Sequence, residues 1–424
     1  MFNMLEIRFV DIHGTLKAMN LPIKIDKISN ATTDPVFSEG INIDGSSVAG
    51  FTALENSDLH LLPVPDSLFE LPYTDEPKLA VMCEIRQDGT TFAGDTRSQL
   101  RNVIEKLLTS KGLSLKVGPE PEFYLFKDNV PVDQGQYADI FPNASVEGMV
   151  KRFSQYLTKA LIQPKVHHHE VGPGQYEIEI GYEDTLRIAD IIVTYKAIIR
   201  ALAAKLGHIA TFMPKPFAQL AGNGMHCHLS LWEGTKNLFS DSEPNKISAL
   251  AEHFMAGILE HAQAMTVLVA PTVNSYKRLV PGYEAPVYVA WGPLNRSALI
   301  RVPMINNPKL ARFEYRCPDP SCNPYLALSS IVTAGMDGIK RELELPPPVK
   351  KNIYQLSSKE RQESNIRTLP GNLFEALTFL EKDKLLCNAL GDHICEKFFL
   401  LKKEEWLQYS TQVTDWDWKN YLQV

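Results

Sequence analysis

Four short stretches of the sequence place carboxylate, imidazole or guanidinium groups at every second position. They are GPEPEFYLF with Glu120 and Glu122, GQYEIEIGY with Glu177 and Glu179, MHCHLSLW with His226, His228 and Ser230, and ARFEYRCPD with Arg312, Glu314 and Arg316. Side chains on a β-strand alternate between two faces, so the members of each set share one face. Apolar residues such as Phe123 and Ile178 lie on the opposite face, as in a strand with one buried side.

Two interpretations of these strands differ in what covers the polar faces. For any single stretch, a half-solvated strand with a polar outer face is sufficient. Glutamate is a poor strand former, however, and solvent faces usually mix several polar residue types. The four stretches together therefore favour one shared concave surface lined with acid. Clustered carboxylates repel each other unless cations neutralise them. Oxygen ligands with one imidazole suit Mg²⁺ or Mn²⁺ better than zinc.

The run HHHE, residues 167–170, adds a further carboxylate at Glu170. Three consecutive histidines are an alternative indication of zinc, but consecutive residues on a strand cannot all face one ion. We therefore interpret most of this run as packing.

Arginines supply the charge that complements the acidic residues. NSYKRLVPGYEAP carries Arg278 and Glu284 in a loop, and NRSALIR carries Arg296 and Arg301. Guanidinium groups bind carboxylates and phosphates through paired hydrogen bonds. Acid, cation and arginine together predict phosphoryl transfer, with a surface salt-bridge network as the alternative. No P-loop sequence is present, and no GxGxxG stands in a strand–helix context.

The bulk composition excludes several classes of protein. The 424 residues are 44% hydrophobic and 22% charged, with a formal net charge of −7, which argues against a nucleic-acid binder. No apolar run is long enough to cross a membrane, and the N-terminus lacks the features of a signal peptide. Six cysteines without a CxxC pair fit a reducing cytoplasm.

The order of the elements predicts an α+β fold. The first ninety or so residues have the pattern of short strands and turns, which predicts a small, mostly β domain. Helical periodicity then predicts helices over residues 97–111, 191–206, 247–269 and 325–343, with further packed helices from residue 372. Strands and helices do not alternate regularly, so a doubly wound sheet is disfavoured.

Several of these stretches resemble glutamine synthetase, in its bacterial and archaeal type I form. The resemblance runs from DGSSVAGF through GPEPEF, HHEVGPGQYEIEI, TFMPKPF, GMHCHLSL, NSYKRLVPGYEAPVYVAW and NRSALIRVP to RFEYRCPDPSCNPYLA. It implies a β-grasp domain over residues 1–95 and a catalytic domain over residues 96–424 with an open, barrel-like antiparallel sheet flanked by helices. It also implies a homo-oligomer, a dodecamer of two stacked six-membered rings, with active sites shared between neighbouring subunits.

The resemblance assigns ligands for two divalent cations, Mg²⁺ or Mn²⁺, in each site. Glu122, Glu170 and Glu177 are implied ligands of the first ion. Glu120, His226 and Glu314 are implied ligands of the second, which would bridge the phosphates of ATP.

The resemblance also assigns roles toward the substrates. Residues on the glutamate and phosphate side are Gly222, Arg278, Arg296, Arg301 and Arg316. Residues implied to contact ATP are His228, Ser230, Lys309 and Arg312. Asp44 would be contributed by a neighbouring subunit, and it would bind ammonium and take a proton from it. Glu284 would close as a flap over the acyl phosphate.

The activity implied is the ATP-dependent joining of ammonia to glutamate through γ-glutamyl phosphate, giving glutamine, ADP and phosphate. One position departs from the family: Ala221 stands where an asparagine helps to hold glutamate, and its side chain cannot hydrogen-bond. Asn223, two residues on, is a candidate replacement for that asparagine.

Three alternatives to this activity follow from single features. Ala221 leaves open a γ-glutamyl ligase for another amine, such as a polyamine or ethanolamine, and a catalytically impaired regulatory paralogue. The His226–His228 pair leaves open a metallohydrolase, although that motif belongs near the start of a (β/α)₈ barrel.

Overall fold

Residues 1–140, 144–243 and 245–424 are described in a computed structural model. The N-terminal strands form one seven-stranded sheet in the order β2-β1-β6-β4-β3, with β5 and β7 also paired to β6. The strands are β1 (Phe2–Val10), β2 (Leu16–Ile25), β3 (Ile41–Asp44), β4 (Asp58–Pro63), β5 (Phe69–Glu70), β6 (Lys78–Gln87) and β7 (Thr90–Thr91), and a short helix α1 (Val36–Glu39) lies between β2 and β3. Only β1 and β6 pair in parallel among these described strands.

A second sheet of eleven strands forms the larger part of the protein. The strands that follow along the chain are β8 (Leu113–Lys127), β9 (Val130–Pro131), β10 (Pro164–His169), β11 (Gln175–Ile180), β12 (Glu183–Asp184), β13 (Ile209–Thr211), β14 (Met225–Glu233), β15 (Lys236–Asn237), β16 (Tyr288–Val289), β17 (Trp291–Pro293), β18 (Ile300–Val302), β19 (Phe313–Tyr315) and β20 (Arg367–Thr368). The order is β10-β11-β8-β14-β19-β18-β17, while β16 and β20 form a separate pair. The long strand β8 pairs with β11, β12, β13, β14 and β9, so it is the centre of the sheet.

Helices pack on this sheet and on one another. They are α2 (Thr96–Leu107), α3 (Ala144–Lys159), α4 (Thr185–Lys205), α5 (Ala249–Val269), α6 (Ser275–Arg278), α7 (Pro324–Lys340), α8 (Ser358–Glu363), α9 (Leu373–Lys382), α10 (Lys384–Leu390), α11 (Asp392–Ser410) and α12 (Asp415–Tyr421). The predicted helices are present, with different ends: the one predicted over 97–111 ends at Leu107 and continues as a 3₁₀ turn over Thr109–Lys111. Local capping explains several ends; the Asp95 carboxylate, for example, accepts from the Arg97 N–H at 3.1 Å and starts α2.

The predicted fold class is confirmed: the protein is α+β, with a small N-terminal β domain and a larger domain built on an open curled sheet flanked by helices. That sheet is antiparallel except between β17 and β18. We propose the domain boundary between Asp95 and Thr96, where α2 begins. Across the described ranges, none of the helices combines the length and the apolar character that crossing a membrane requires.

Candidate active site

A cavity of about 590 Å³ opens on the polar face of the eleven-stranded sheet. The alternation predicted from the sequence places its lining: in β14, Met225, Cys227 and Leu229 are buried in the core, while the residues between them are partly exposed to the cavity. The same alternation turns Phe123 and Leu125 of β8 into the core, where both are fully buried. Core packing on one face of the sheet therefore fixes which side chains face the cavity on the other.

The strand register brings the acidic and imidazole side chains into two clusters. In the first, His168 of β10 lies opposite Glu177 of β11, which lies opposite Glu122 of β8. Directly opposed residues of antiparallel strands have Cβ atoms about 5 Å apart. With Glu170, which follows β10, these residues form what we call the glutamate cluster.

The second cluster lies across β8, β14, β19 and β18. Glu120 is opposite His226, His228 is opposite Glu314, and Glu314 is opposite Arg301. We call Glu120, His226, His228 and Glu314 the histidine cluster. Two neighbouring residues of β8, Glu120 and Glu122, thus belong to different clusters.

Electrostatics differ sharply between the clusters. In the glutamate cluster, burial raises the pKa of Glu122 well above its usual range, and the charges of Glu170 and Glu177 raise it further. Burial, together with Glu120 and Glu170, raises the pKa of Glu177 to about 7, although His168 lies 3.3 Å from it. The cluster holds more negative charge than the described side chains around it neutralise. This excess, on oxygen donors, fits a divalent cation.

The histidine cluster is closer to neutral. Burial and the Arg316 charge lower the pKa of His226 to about 4, so its imidazole is neutral at physiological pH and its lone pair is available to a cation. His226 Nδ1 lies 3.7 Å from Glu120 Oε2 and 3.4 Å from Glu314 Oε1. His228 Nε2 lies 2.7 Å from Glu120 Oε1, and the Arg312 Nε–H donates to His228 Nδ1 at 3.3 Å. Two carboxylates beside a neutral imidazole also fit a cation.

Arginines line the same cavity beside the acidic residues. Glu314 is fully buried, with its oxygens 2.6 Å from Arg301 Nη1 and from Arg316 Nη1. Arg316 also donates from Nη2 to the Glu284 carbonyl at 3.1 Å. Arg278 is buried and donates to the carbonyls of Cys317 and Arg316, which fixes its guanidinium at the cavity wall. These positions suit recognition of carboxylate and phosphate groups.

The segment around Ala221 is shaped by close contacts. A Cβ at Gly222 would lie 2.5 Å from the Pro214 carbonyl oxygen, and one at Gly224 would lie 2.8 Å from Arg278 Nη2. Only glycine lets the backbone pass this close to the guanidinium. Asn223 is fully buried and its amide donates to Met213 and accepts from Gln175, so it does not substitute for the missing asparagine.

Most residues singled out from the sequence do line this one cavity. They are Glu120, Glu122, Glu170, Glu177, Gly222, His226, His228, Ser230, Arg278, Glu284, Arg296, Arg301, Arg312, Glu314 and Arg316. Two do not. Lys309 lies on an exposed 3₁₀ turn outside the lining, and Asp44 lies on the N-terminal sheet, where it accepts from Ser46 and Ser47.

Other cavity residues were missed by the sequence analysis. His168 belongs to the glutamate cluster and lines the cavity, whereas His169 is buried against Asp133 at 2.8 Å. The signal was present, because His168 and Glu170 are two positions apart and share a face of a strand. Gln175 and Tyr283 also line the cavity, and no spacing in the sequence singled them out.

Comparisons with known proteins agree with this architecture. The family model for the beta-grasp domain of glutamine synthetase matches residues 1–88, and that for the glutamine synthetase catalytic domain matches residues 93–421. Glutamine synthetase of Thermotoga maritima is 45% identical over 429 residues, covering 99% of this chain and 96% of the relative. That of Methanocaldococcus jannaschii is 42% identical over 430 residues, covering 99% and 94%.

Solved structures are similar over the full length. A structure described as a GmaS/ADP complex has a TM-score of 0.90 at 30% identity and covers 100% of this chain and 97% of its own. Glutamine synthetase of Plasmodium falciparum has a TM-score of 0.86 at 25% identity and covers 99% and 96%. The matches to both domains and the identity to curated relatives lead to one conclusion: this chain belongs to the glutamine synthetase family.

Proposed function

We propose that this chain is a glutamine synthetase of the type I form. Its activity is the ATP-dependent joining of ammonia to glutamate, which gives glutamine, ADP and phosphate. The observation that carries the proposal is the pairing of two carboxylate-rich clusters on one strand, β8, with five arginines facing the same cavity. That arrangement can hold cations, a triphosphate and a carboxylate substrate together.

The family uses ATP and a divalent metal, and we infer two Mg²⁺ or Mn²⁺ ions per site. Glu122, Glu170 and Glu177 would hold one, and Glu120, His226 and Glu314 the other. The raised pKa values of the first set and the neutral imidazole in the second support this division. When bound, these ions would neutralise phosphate charge during transfer.

The residues around the clusters divide by position. Arg278 and the Gly222 backbone are assigned to the glutamate end, because they lie together beside Gly224. Arg296, Arg301 and Arg316 are assigned to the transferred phosphate and the γ-carboxylate. The assigned nucleotide contacts are His228, Ser230, Arg312 and Lys309; Lys309 would have to reach the nucleotide from outside the described cavity lining.

The reaction then proceeds in two steps. An oxygen of the glutamate γ-carboxylate attacks the γ-phosphorus of ATP, which forms γ-glutamyl phosphate and releases ADP. Ammonium loses a proton to Asp44, and ammonia attacks the acyl carbon. The added nitrogen passes a second proton to the phosphate, which leaves with the electrons of the C–O bond. Glu284, exposed at the cavity mouth, would close over the intermediate and exclude water.

We further propose a homo-oligomer with shared active sites, a dodecamer of two stacked six-membered rings. Asp44 lies outside the cavity of its own chain, as a residue that serves a neighbouring subunit would. Helix α12 and the chain end expose large apolar residues, among them Trp416, Trp418 and Leu422, which suits burial against another copy. No nucleic acid or membrane partner is proposed. Six free cysteines support a cytoplasmic location.

The test of this function is a stoichiometric assay. The protein is given ATP, Mg²⁺ and glutamate, with ammonium and then with methylamine, ethanolamine or a polyamine, and phosphate and amide product are both measured. We expect phosphate and glutamine in equal amounts with ammonium. Product with an alkylamine but none with ammonium would refute the assignment and favour the γ-glutamyl ligase alternative.

A further inference from the structure

Three successive backbone carbonyls beside the cavity are each held by a different side chain. The Leu220 carbonyl accepts from Lys215 Nζ at 2.6 Å. The Ala221 carbonyl accepts from the Tyr124 hydroxyl at 2.7 Å, and the Gly222 carbonyl accepts from Gln175 Nε2 at 3.1 Å. We call residues 220–222 the carbonyl loop. Because Ala221 has no polar side chain, these backbone contacts set the position of the loop.

Lys215 is the least ordinary of the three anchors, because a lysine is rarely buried without a carboxylate partner. It is 5% exposed, and the contacts described for its ammonium group are a backbone carbonyl and an aromatic ring, not a carboxylate. Its backbone is fixed by Asn274, which accepts from the Lys215 N–H at 2.7 Å and donates to its carbonyl at 3.1 Å. The side chain therefore starts from a rigid point.

The ammonium group of Lys215 also contacts residues 283–284, which we call the flap. Lys215 Nζ lies 3.6 Å from the centre of the Tyr283 ring, well within the range of a cation–π interaction. Tyr283 immediately precedes Glu284, whose φ of 59° is unusual for a residue other than glycine. A backbone conformation of this kind persists only where its surroundings hold it. One ammonium group thus touches both the carbonyl loop and the flap.

We propose that Lys215 is a positioning residue that ties the flap, through Tyr283, to the carbonyl loop beside the glutamate end of the site. The inference rests on the proposed function. When Lys215 contacts both segments, the flap stays over the site while the carbonyl loop holds substrate. Without these contacts, water reaches γ-glutamyl phosphate, attacks the acyl carbon and expels phosphate, so that glutamate is regenerated and ATP is consumed without product.

The test is the ratio of phosphate released to glutamine formed, at saturating ammonium. Lys215→Met keeps the length of the side chain and removes the charge, and Tyr283→Leu removes the ring. We expect each to raise the phosphate released without glutamine, per glutamine formed, about fivefold, the fold equivalent of a cation–π contact of about 1 kcal/mol. Lys215→Arg and Tyr283→Phe keep the cation and the ring face, so they should restore a ratio close to one.

The double variant Lys215→Met with Tyr283→Leu should have the same ratio as either single variant, because both remove one contact. Lower turnover with an unchanged ratio, or ratios that multiply in the double variant, would overturn the inference. Circular dichroism identifies a variant that fails to fold. If Lys215→Met fails to fold, Tyr283→Leu, which lies on a loop, still tests the contact. An inactive wild-type protein would refute the proposed function. An active wild type whose variants also release one phosphate per glutamine would refute only the role proposed for Lys215.

Discussion

Glu120 and His226 lie opposite each other across β8 and β14, with 3.7 Å between Glu120 Oε2 and His226 Nδ1. Burial lowers the pKa of His226 to about 4, so at neutral pH the pair is a carboxylate beside an uncharged ring. Such a pair binds a cation without first losing a proton, in contrast to a charged imidazolium. The neighbouring glutamate cluster differs, because it carries an excess of negative charge.

Glu122→Gln should stabilise the metal-free protein and weaken cation binding. The amide oxygen can still accept from the Gly224 N–H and from Gln175, which now donate to the carboxylate at 2.8 and 3.1 Å. The substitution therefore removes a carboxyl whose ionised form burial, Glu170 and Glu177 disfavour, and it keeps the packing. We expect about 1 to 2 kcal/mol more free energy of unfolding in a chelator.

The measurements are thermal unfolding with and without chelator and calorimetric titration with Mg²⁺ or Mn²⁺. Glu183→Gln, on the exposed strand β12, is the matched control and should change neither quantity. A Glu122→Gln protein that binds the cations as the wild type does would contradict the assigned ligand set.

Ala221→Asn should lower the KM for glutamate. Ala221 lines the cavity, and an amide at this position can donate to a bound carboxylate. One added hydrogen bond of about 1 kcal/mol corresponds to about a fivefold lower KM with little change in kcat. Ala218→Asn, exposed and outside the cavity lining, is the control for a nearby change in polarity. An unchanged KM in Ala221→Asn would mean that the position does not face glutamate.

Mixing two inactive variants tests whether active sites are shared. Glu284→Ala should bind cations but lose productive transfer, and Asp44→Asn should lose ammonium binding. If Asp44 and Glu284 of one site come from different subunits, random reassembly gives about a quarter of the sites both residues. Glutamine formation should therefore recover after the variants are dissociated together and reassembled. No recovery, with oligomers of normal size, would place both residues in one subunit.

His261 should make stability depend on pH. Its Nδ1 lies 2.5 Å from Asp383 Oδ2, and its Nε2 lies 3.2 Å from Asp337 Oδ2. These two contacts link α5 to α7 and to the start of α10. Burial opposes the charge on this imidazole, but the two carboxylates outweigh burial and raise its pKa. The stabilisation is therefore complete below the pKa of the unfolded chain, about 6.5, and is lost as pH rises through the higher folded value.

His261→Gln should lower the free energy of unfolding by about 1 to 3 kcal/mol at pH 6 and by less at higher pH. Thermal unfolding of both proteins across that range measures the difference. His60→Gln is the control, because His60 contacts the neutral Asn42 amide. A difference that grows with pH would contradict the charged His261.

Much of the site was predictable because β-strands alternate. The faces of β8, β14 and β19 followed from core residues such as Phe123 and Leu229, both fully buried. The pairing of Glu122 with Glu177 was not predictable in this way, because register depends on which strands meet. Alternation with Glu170 was the available signal that His168 faces the cavity, whereas His169 is buried.

The role proposed for Lys215 had no signal in the sequence. TFMPKPF contributed to the resemblance, but its lysine contacts Leu220 five residues on and Tyr283 far along the chain. Contacts of this kind arise only when loops are folded against each other. The roles assigned to Asp44 and Lys309 came from the resemblance alone, and the structure places both outside the cavity lining.

The position of Glu120 and Glu122 on one strand has a consequence for the spacing of the two proposed cations. Residues two positions apart on a strand are about 7 Å apart along the backbone. The pleat of the strand sets this distance between Glu120 and Glu122, and the ions do not. Glu120 is paired with His226 of β14 and Glu122 with Glu177 of β11, so neither residue can shift along the strand without breaking its pair. Exchanging Mg²⁺ for Mn²⁺ should therefore alter bond lengths at each ion while the gap between phosphate donor and acceptor stays constant.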